Sequence, residues 1–239
     1  MRRTLIHILK FTLLIVFIGF LFAFAERRNE LRKVKELQIE FVDEQDPYVN
    51  ELTVDKLLIQ NQMGVTNVGK EILALNIAEN ALDAHHFIED SDIYLTVNAE
   101  LRARIKQCTP IARVNALRPF YIDEKGNKVP LSESYSARVP LVSNVSEREI
   151  KELFPLLKKI KEDEFLKKHV VSISRKSKGN YEIGVRVFDF VIDFGKVELL
   201  DRKIKNFKAF YQKAIKDKSL EKYQKVSLEF KNQVVCTFK

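Results

Sequence analysis

The sequence predicts an α+β chain: one apolar N-terminal helix, then two small domains that each mix strands with amphipathic helices. Three observations carry that expectation. Residues 11–25 contain no charged side chain. Several short segments alternate apolar and polar residues with a period of two, as half-buried strands do. Between them, other segments repeat their apolar residues every three to four positions, which gives a helix one buried face.

Composition narrows the function classes. Charged residues at 31% and hydrophobic ones at 46% describe a folded protein rather than a disordered tail. The net charge of +8 raises nucleic acid or anionic lipid as partners. The basic residues are interleaved with acidic ones, however, and no aromatic and basic motif for base stacking is present, so nucleic acid is not expected. Cys108 and Cys236 are the only cysteines. Two residues supply neither a metal knuckle nor a disulfide framework, and two unpaired strand cysteines are expected.

Residues 5–25, LIHILKFTLLIVFIGFLFAFA, tolerate His7 and Lys10 and give about 20 residues, the length of a helix that crosses a bilayer. Arg2, Arg3 and the ending Ala23-Phe24-Ala25 also fit a cleavable secretory signal. The long core favours an uncleaved anchor, with a short tail over residues 1–10 and a membrane helix over 11–25. Three basic residues precede the core (Arg2, Arg3, Lys10) and five follow it (Arg27, Arg28, Arg32, Lys33, Lys35), a count that leans towards a cytoplasmic C-terminus.

Residues 32–42 read as a strand, with period two from Leu37 onward, ended by Asp46-Pro47. Thr53 is expected to cap a helix with Leu57 and Leu58 facing inward. Residues 67–69 form a loop. A second helix over residues 76–86 takes Asn76 as its cap and Ile77, Ala81, Leu82 and His85 as its face. Two strands follow at 88–96 and 100–108, joined through Asn98-Ala99; Ile93, Leu95 and Val97 are the apolar members of one, Leu101, Ala103 and Ile105 of the other. The order strand, helix, helix, strand, strand gives a three-stranded sheet with two helices on one face, a domain over residues 32–109.

Pro110 opens a second domain over 110–239. Residues 120–129 are a hairpin whose turn takes a positive φ at Gly126. Ser146 and Glu149 form a capping box for a helix to about Lys161, with a kink or early end expected at Pro155. Residues 170–175 and 181–187 make a hairpin around Lys178-Gly179-Asn180. Phe188, Phe190, Ile192 and Phe194 extend the sheet to Gly195-Lys196. Residues 198–217 are helical, with Leu200, Ile204, Phe207, Tyr211, Ala214 and Ile215 on one stripe. Arg202, Lys203, Lys205, Lys208, Lys213, Lys216 and Lys218 decorate the rest as a solvated basic face. Residues 223–238, YQKVSLEFKNQVVCTF, are the last strand.

No catalytic, cofactor-binding or metal-binding residue is expected, and the chain does not read as an enzyme. His85 and His86 lie near Asp83, Glu89, Asp90 and Asp92, but adjacent helical residues point about 100° apart and share one ion poorly. No His-Glu-x-x-His, glycine-rich phosphate loop or Gly-x-Ser-x-Gly occurs, and His169 stands at a strand start with no triad around it. A chain of this kind acts by surface contact.

Residues 72–114 resemble the polypeptide-transport-associated (POTRA) domain of the FtsQ/DivIB bacterial cell-division proteins. A helix is followed by His86-Phe87-Ile88 at the family's Pro-Tyr-Val-like step, then by two strands. The second ends in Lys106-Gln107-Cys108-Thr109-Pro110-Ile111-Ala112, where Pro110 and Ala112 match the Glu-Arg-x-Pro-x-Ala signature and the Glu-Arg is lost. The hairpin from Tyr121 to Gly126 resembles the family's Tyr-x-Ile-Asp-x-x-Gly, and Val139-Pro140-Leu141-Val142 sits at its short Pro-Leu strand. Phe194-Gly195-Lys196, Lys203-Ile204-Lys205-Asn206-Phe207 and Ser227-Leu228-Glu229-Phe230 then follow in family order. In the last, Ser and Glu replace the Asp and Arg of Asp-Leu-Arg-Tyr.

The resemblance implies a non-enzymatic division-site scaffold without cofactors, single-pass in the cell inner (plasma) membrane. It implies a cytoplasmic N-terminus with both domains in the periplasm or outside the cell, against the charge count. It implies binding to FtsB-like and FtsL-like bitopic proteins and other divisome components, and a part in controlling septal peptidoglycan synthesis. The family holds FtsB at the edge of its last strand, which maps the partner site here to Lys196, Leu228, Glu229, Phe230, Asn232 and Gln233. A second reading takes the POTRA likeness to an exported chaperone-like module that binds extended polypeptides for outer-membrane transport through the edge strand of its first domain.

Overall fold

A computed structural model describes residues 2–30, 37–42, 48–60, 72–96, 98, 100–132, 135–231 and 233–239. The chain divides into two compact units, Met1–Gln107 and Cys108–Lys239. Together they make a mixed α+β protein with one large mixed sheet.

The first unit opens with α1, Arg2–Glu30. Its large apolar side chains stand clear of the protein, from Leu21 at 48% exposed to Phe22 at 71%. Lys10, Glu26 and Arg27 bracket the uncharged run of residues 11–25, which at 1.5 Å per residue is roughly 22 Å long against the ~30 Å of a hydrocarbon core. Among the described residues no helix is long and apolar enough to cross a membrane.

After α1 come β1 (Leu37–Phe41), α2 (Glu51–Gln60), α3 (Ile72–Asp83), β2 (Ile88–Leu95) and β3 (Leu101–Gln107), the predicted order. The strands form a sheet in the order β1-β3-β2, with β1 parallel and β2 antiparallel to β3. Val54, Leu58, Ala78, Leu82, Ala103 and Ile105 are its buried centre. Two local expectations are corrected. Asn50, not Thr53, caps α2: its Oδ1 accepts from the Thr53 amide at 2.9 Å and the Thr53 hydroxyl at 2.8 Å, the reach of an N-cap side chain to the third helical residue. And α3 starts four residues before Asn76, because the strong helix formers in Leu-Ala-Leu continue it backwards. Its buried members are Ala78 and Leu82, while Ile77 is 52% exposed. Asp46-Pro47, the loop at 67–69, Val97 and Ala99 lie outside the described residues.

Two of the carboxylates around His85 and His86 are occupied locally. Asp83 accepts from the Ser91 hydroxyl at 2.7 Å, and Glu89 pairs with Lys106 at 2.8 Å. Among the described residues no group of three or more His, Cys, Asp or Glu side chains is placed to hold a metal ion.

The second unit contains β4 (Pro110–Asn115), β5 (Phe120–Asp123), β6 (Lys128–Pro130), β7 (Leu141–Ser143), α4 (Glu147–Glu162), α5 (Glu164–His169), β8 (Val170–Arg175), β9 (Tyr181–Val185), β10 (Val191–Gly195), α6 (Leu200–Lys216), β11 (Tyr223–Ser227) and β12 (Val235–Phe238). The strands lie in the order β12-β11-β10-β9-β8-β7-β4-β5-β6. Pairs β4/β7, β7/β8 and β10/β11 are parallel and the others antiparallel. The core joins Leu153, Leu156 and Ile160 of α4 and Phe207 of α6 to Ile173 and Ile192 of the sheet. Gly126 at φ +86° and Gly179 at φ +74° close the two predicted hairpins.

Ser146 donates its amide to Glu149 Oε2 at 2.7 Å, the capping box read from sequence. Pro155 does not end α4, which continues to Glu162. The proline is on the exposed side, where a carbonyl deprived of its partner can be hydrated. The expected last strand, 223–238, is instead two strands, β11 and β12, turned back on each other. No glycine or proline marks that reversal, so the continuing alternation of Val226, Leu228 and Phe230 hides it.

Helix α5 was not expected. Asp163 starts it by accepting from the amides of Phe165 and Leu166 at 3.0 and 3.1 Å, and also pairs with Lys208 of α6. Burial raises the Asp163 carboxyl's pKa, but the Lys208 contact and those two amides outweigh it and leave the pKa below its ordinary value. A carboxylate with a depressed folded pKa stabilises above its unfolded value, near 4, and loses that contribution as pH falls through the folded value. Urea midpoints measured from pH 6 to pH 2 should therefore fall more steeply below about pH 4 for the wild-type chain than for Asp163→Asn. Parallel curves for the two proteins would refute this.

Candidate partner-binding site

The segments singled out by resemblance meet at one end of the second unit's sheet. Strand β10 runs parallel to β11, with Val191, Ile192 and Asp193 opposite Lys225, Val226 and Ser227. The ladder continues one residue further, where the Leu228 amide donates to Asp193 O at 2.8 Å. Asp193 also pairs with Lys225 across the two strands, a hydrogen bond that raises the lysine's pKa.

Leu228 is buried in the hydrophobic core. Glu229 leaves the sheet and lies over Gly195, which ends β10 at φ +69°. A Cβ on Gly195 would come within 2.8 Å of Glu229 Cγ, so the positive φ and the close approach both call for glycine there. Asn180 Nδ2, from the β8–β9 turn, donates to Glu229 Oε1 at 3.2 Å. Lys196, next in sequence, is exposed.

Strand β12 pairs antiparallel with β11, from Ser227 opposite Val235 to Tyr223 opposite Phe238. It is the terminal strand of the sheet, so among the described residues no strand pairs with its outer row of backbone groups. Phe230, Val235 and Phe238 are 47%, 40% and 62% exposed around it. On its inner side Phe238 stacks on Tyr223, with ring centroids 5.1 Å apart, and Tyr223 meets Phe210 of α6 edge-on at 5.3 Å. A groove of about 420 Å³ lies between α6 and this hairpin, lined by Ala209, Phe210, Lys213, Tyr223, Gln233 and Cys236. Burial raises the Cys236 thiol's pKa, and no disulfide joins it to buried Cys108.

The structure thus brings Lys196, Leu228, Glu229 and Phe230 to the β10 and β11 ends, and places Gln233 in the groove behind β12. Leu228 faces the core and not the surface. Asn232 lies outside the described residues.

Sequence reasoning also misplaced a lysine of this region. Lys203, expected on the basic face of α6, is 5% exposed. Its Nζ donates to the carbonyls of Phe194 at 2.7 Å and Lys196 at 2.8 Å, and lies 4.7 Å from the Phe194 ring centroid. Burial lowers its pKa, which the charges of Glu198 and Glu229 oppose. The available signal was its position four residues before Phe207, on the apolar stripe.

The family profile described as FtsQ/DivIB, C-terminal related, matches residues 109–237. No curated protein matches the chain.

Proposed function

The chain belongs to the FtsQ/DivIB C-terminal related family, and from that premise we propose that it is a non-enzymatic scaffold of bacterial cell division that captures an FtsB-like bitopic protein at β12. The family carries the cell-division role and a membrane-associated location. The observation that supports capture at this place is that β12 ends the sheet with no described strand on its outer edge. An extended partner segment adds a strand there through main-chain hydrogen bonds, and side-chain contacts supply selectivity. Val235 and Phe238 offer apolar contact, while Lys196 and Glu229 provide opposite charges at the end of the neighbouring strands.

In this reading α1 is a single-pass anchor in the plasma membrane with a cytoplasmic N-terminus. Its phenylalanine and leucine side chains, about half to seven-tenths exposed, find no cover among the described residues, which suits a lipid environment. The first unit serves as a POTRA domain, and both units work outside the cytoplasm. FtsL-like proteins join through the FtsB-like partner, and the assembly acts on septal peptidoglycan synthesis. Lys196→Glu should weaken capture about tenfold without unfolding the second unit, a loss of the size expected for one well-placed interfacial charge. The test is co-purification of the chain with the FtsB-like protein of the same cell. Undiminished co-purification would remove Lys196 from the site.

A further inference from the structure

Lysine is seldom fully buried without a partner that repays its lost hydration, and Lys203 is buried at the one place where three distant segments converge. It belongs to the first turn of α6. Its ammonium bridges two carbonyls that flank Gly195, those of Phe194 and Lys196. The Lys196 carbonyl also accepts from the Glu198 amide at 2.9 Å. The chain at the end of β10 is therefore folded around the lysine head, with Gly195 held in its left-handed conformation between the two bonds. Glu229 then rests on the flat side of Gly195 and is held from its other side by Asn180.

A helix needs no such bond for its own stability, and an apolar residue at position 203 would fill the stripe beside Phe207 at lower desolvation cost. What the ammonium adds is local: it fixes where Lys196 leaves the sheet and what surface Glu229 meets. We propose that Lys203 is the positioning residue of the partner-binding site, setting the backbone that presents Lys196 and seats Glu229 at the ends of β10 and β11, two strands and one strand in from β12. The proposal rests on the capture reading for its biological meaning, but its structural content is separate.

Hydrogen exchange on the full-length chain, reconstituted in lipid nanodiscs, tests that content without a partner. In Lys203→Met the amides of Glu198 and Leu228, which donate to the Lys196 and Asp193 carbonyls, should exchange about tenfold faster, while Leu153 and Leu156 in α4 keep their protection, as local opening requires. Lys203→Arg, which retains the donors, should restore part of the slow exchange. Unchanged exchange at Glu198 and Leu228 overturns the proposal. Loss of protection in α4 as well makes Lys203 a general core support and overturns it too.

Capture of the FtsB-like protein supplies the second arm, with Lys196→Glu in the same assay. Loss of capture in both Lys196→Glu and Lys203→Met, with partial rescue by Lys203→Arg, supports the positioning role. Loss in Lys196→Glu alone overturns the role of Lys203 and leaves the site standing. No loss in either variant removes the site itself.

Discussion

Removing residues 235–239, which deletes β12, should reduce capture of the FtsB-like partner at least 100-fold, or about 2.7 kcal/mol of binding free energy. The deletion takes away the strand that ends the second unit's sheet on the side of β10 and β11, which carry Lys196 and Glu229 at their ends. The core survives it on physical grounds. Val226 and Leu228 are buried against the helices, while Val235, Thr237 and Phe238 are exposed. Far-ultraviolet circular dichroism should therefore keep its helical signal, and the exchange protection of α4 should persist. The main structural loss is the Tyr223–Phe238 stack, worth about 1 kcal/mol. Capture that survives the deletion would exclude β12 as the strand that receives the partner. It would favour the transport reading, in which extended polypeptides bind the first unit.

The largest effect on stability is expected at Leu153. Its side chain is 0% exposed at the centre of α4, and the core it enters is close-packed. A gap of only about 10 Å³ lies beneath the helices, beside Leu156, Ile160 and Phe207. Leu153→Ala removes the isobutyl contacts and leaves a cavity that a sheet braced by three helices cannot collapse to fill. The cost should be about 3–5 kcal/mol, against a total stability of about 5–15 kcal/mol for a domain. The sequence has no tryptophan, so near-ultraviolet circular dichroism of the tyrosines is the suitable probe in urea. A midpoint shift equivalent to less than ~1 kcal/mol would show that α4 is not the support described.

Much of this fold was legible because its signals are local. Period-two strands, the Ser146–Glu149 box and the glycine turns at Gly126 and Gly179 each act within a few residues. What escaped depended on contacts distant in sequence. The reversal between β11 and β12 has no glycine or proline to announce it, and is fixed by pairings such as Val226 with Cys236. Pro155 is tolerated because of the side of α4 it occupies, which sequence shows only once the core face is known. Lys203 is a charged residue on an apolar stripe, and its partners are carbonyls of another element. Backbone acceptors have no letter in the sequence. The candidate site was legible to the same degree: resemblance named its segments, but not that Leu228 belongs to the core.

The two margins of the second unit's sheet are unlike. At the far side β6 ends in Pro130, opposite Phe120, and proline has no N–H to offer a newcomer. Addition to this sheet is therefore favoured on the β12 side, whose strand Val-Cys-Thr-Phe contains no proline, and repeated edge-to-edge stacking of this sheet on copies of itself is hindered on the β6 side.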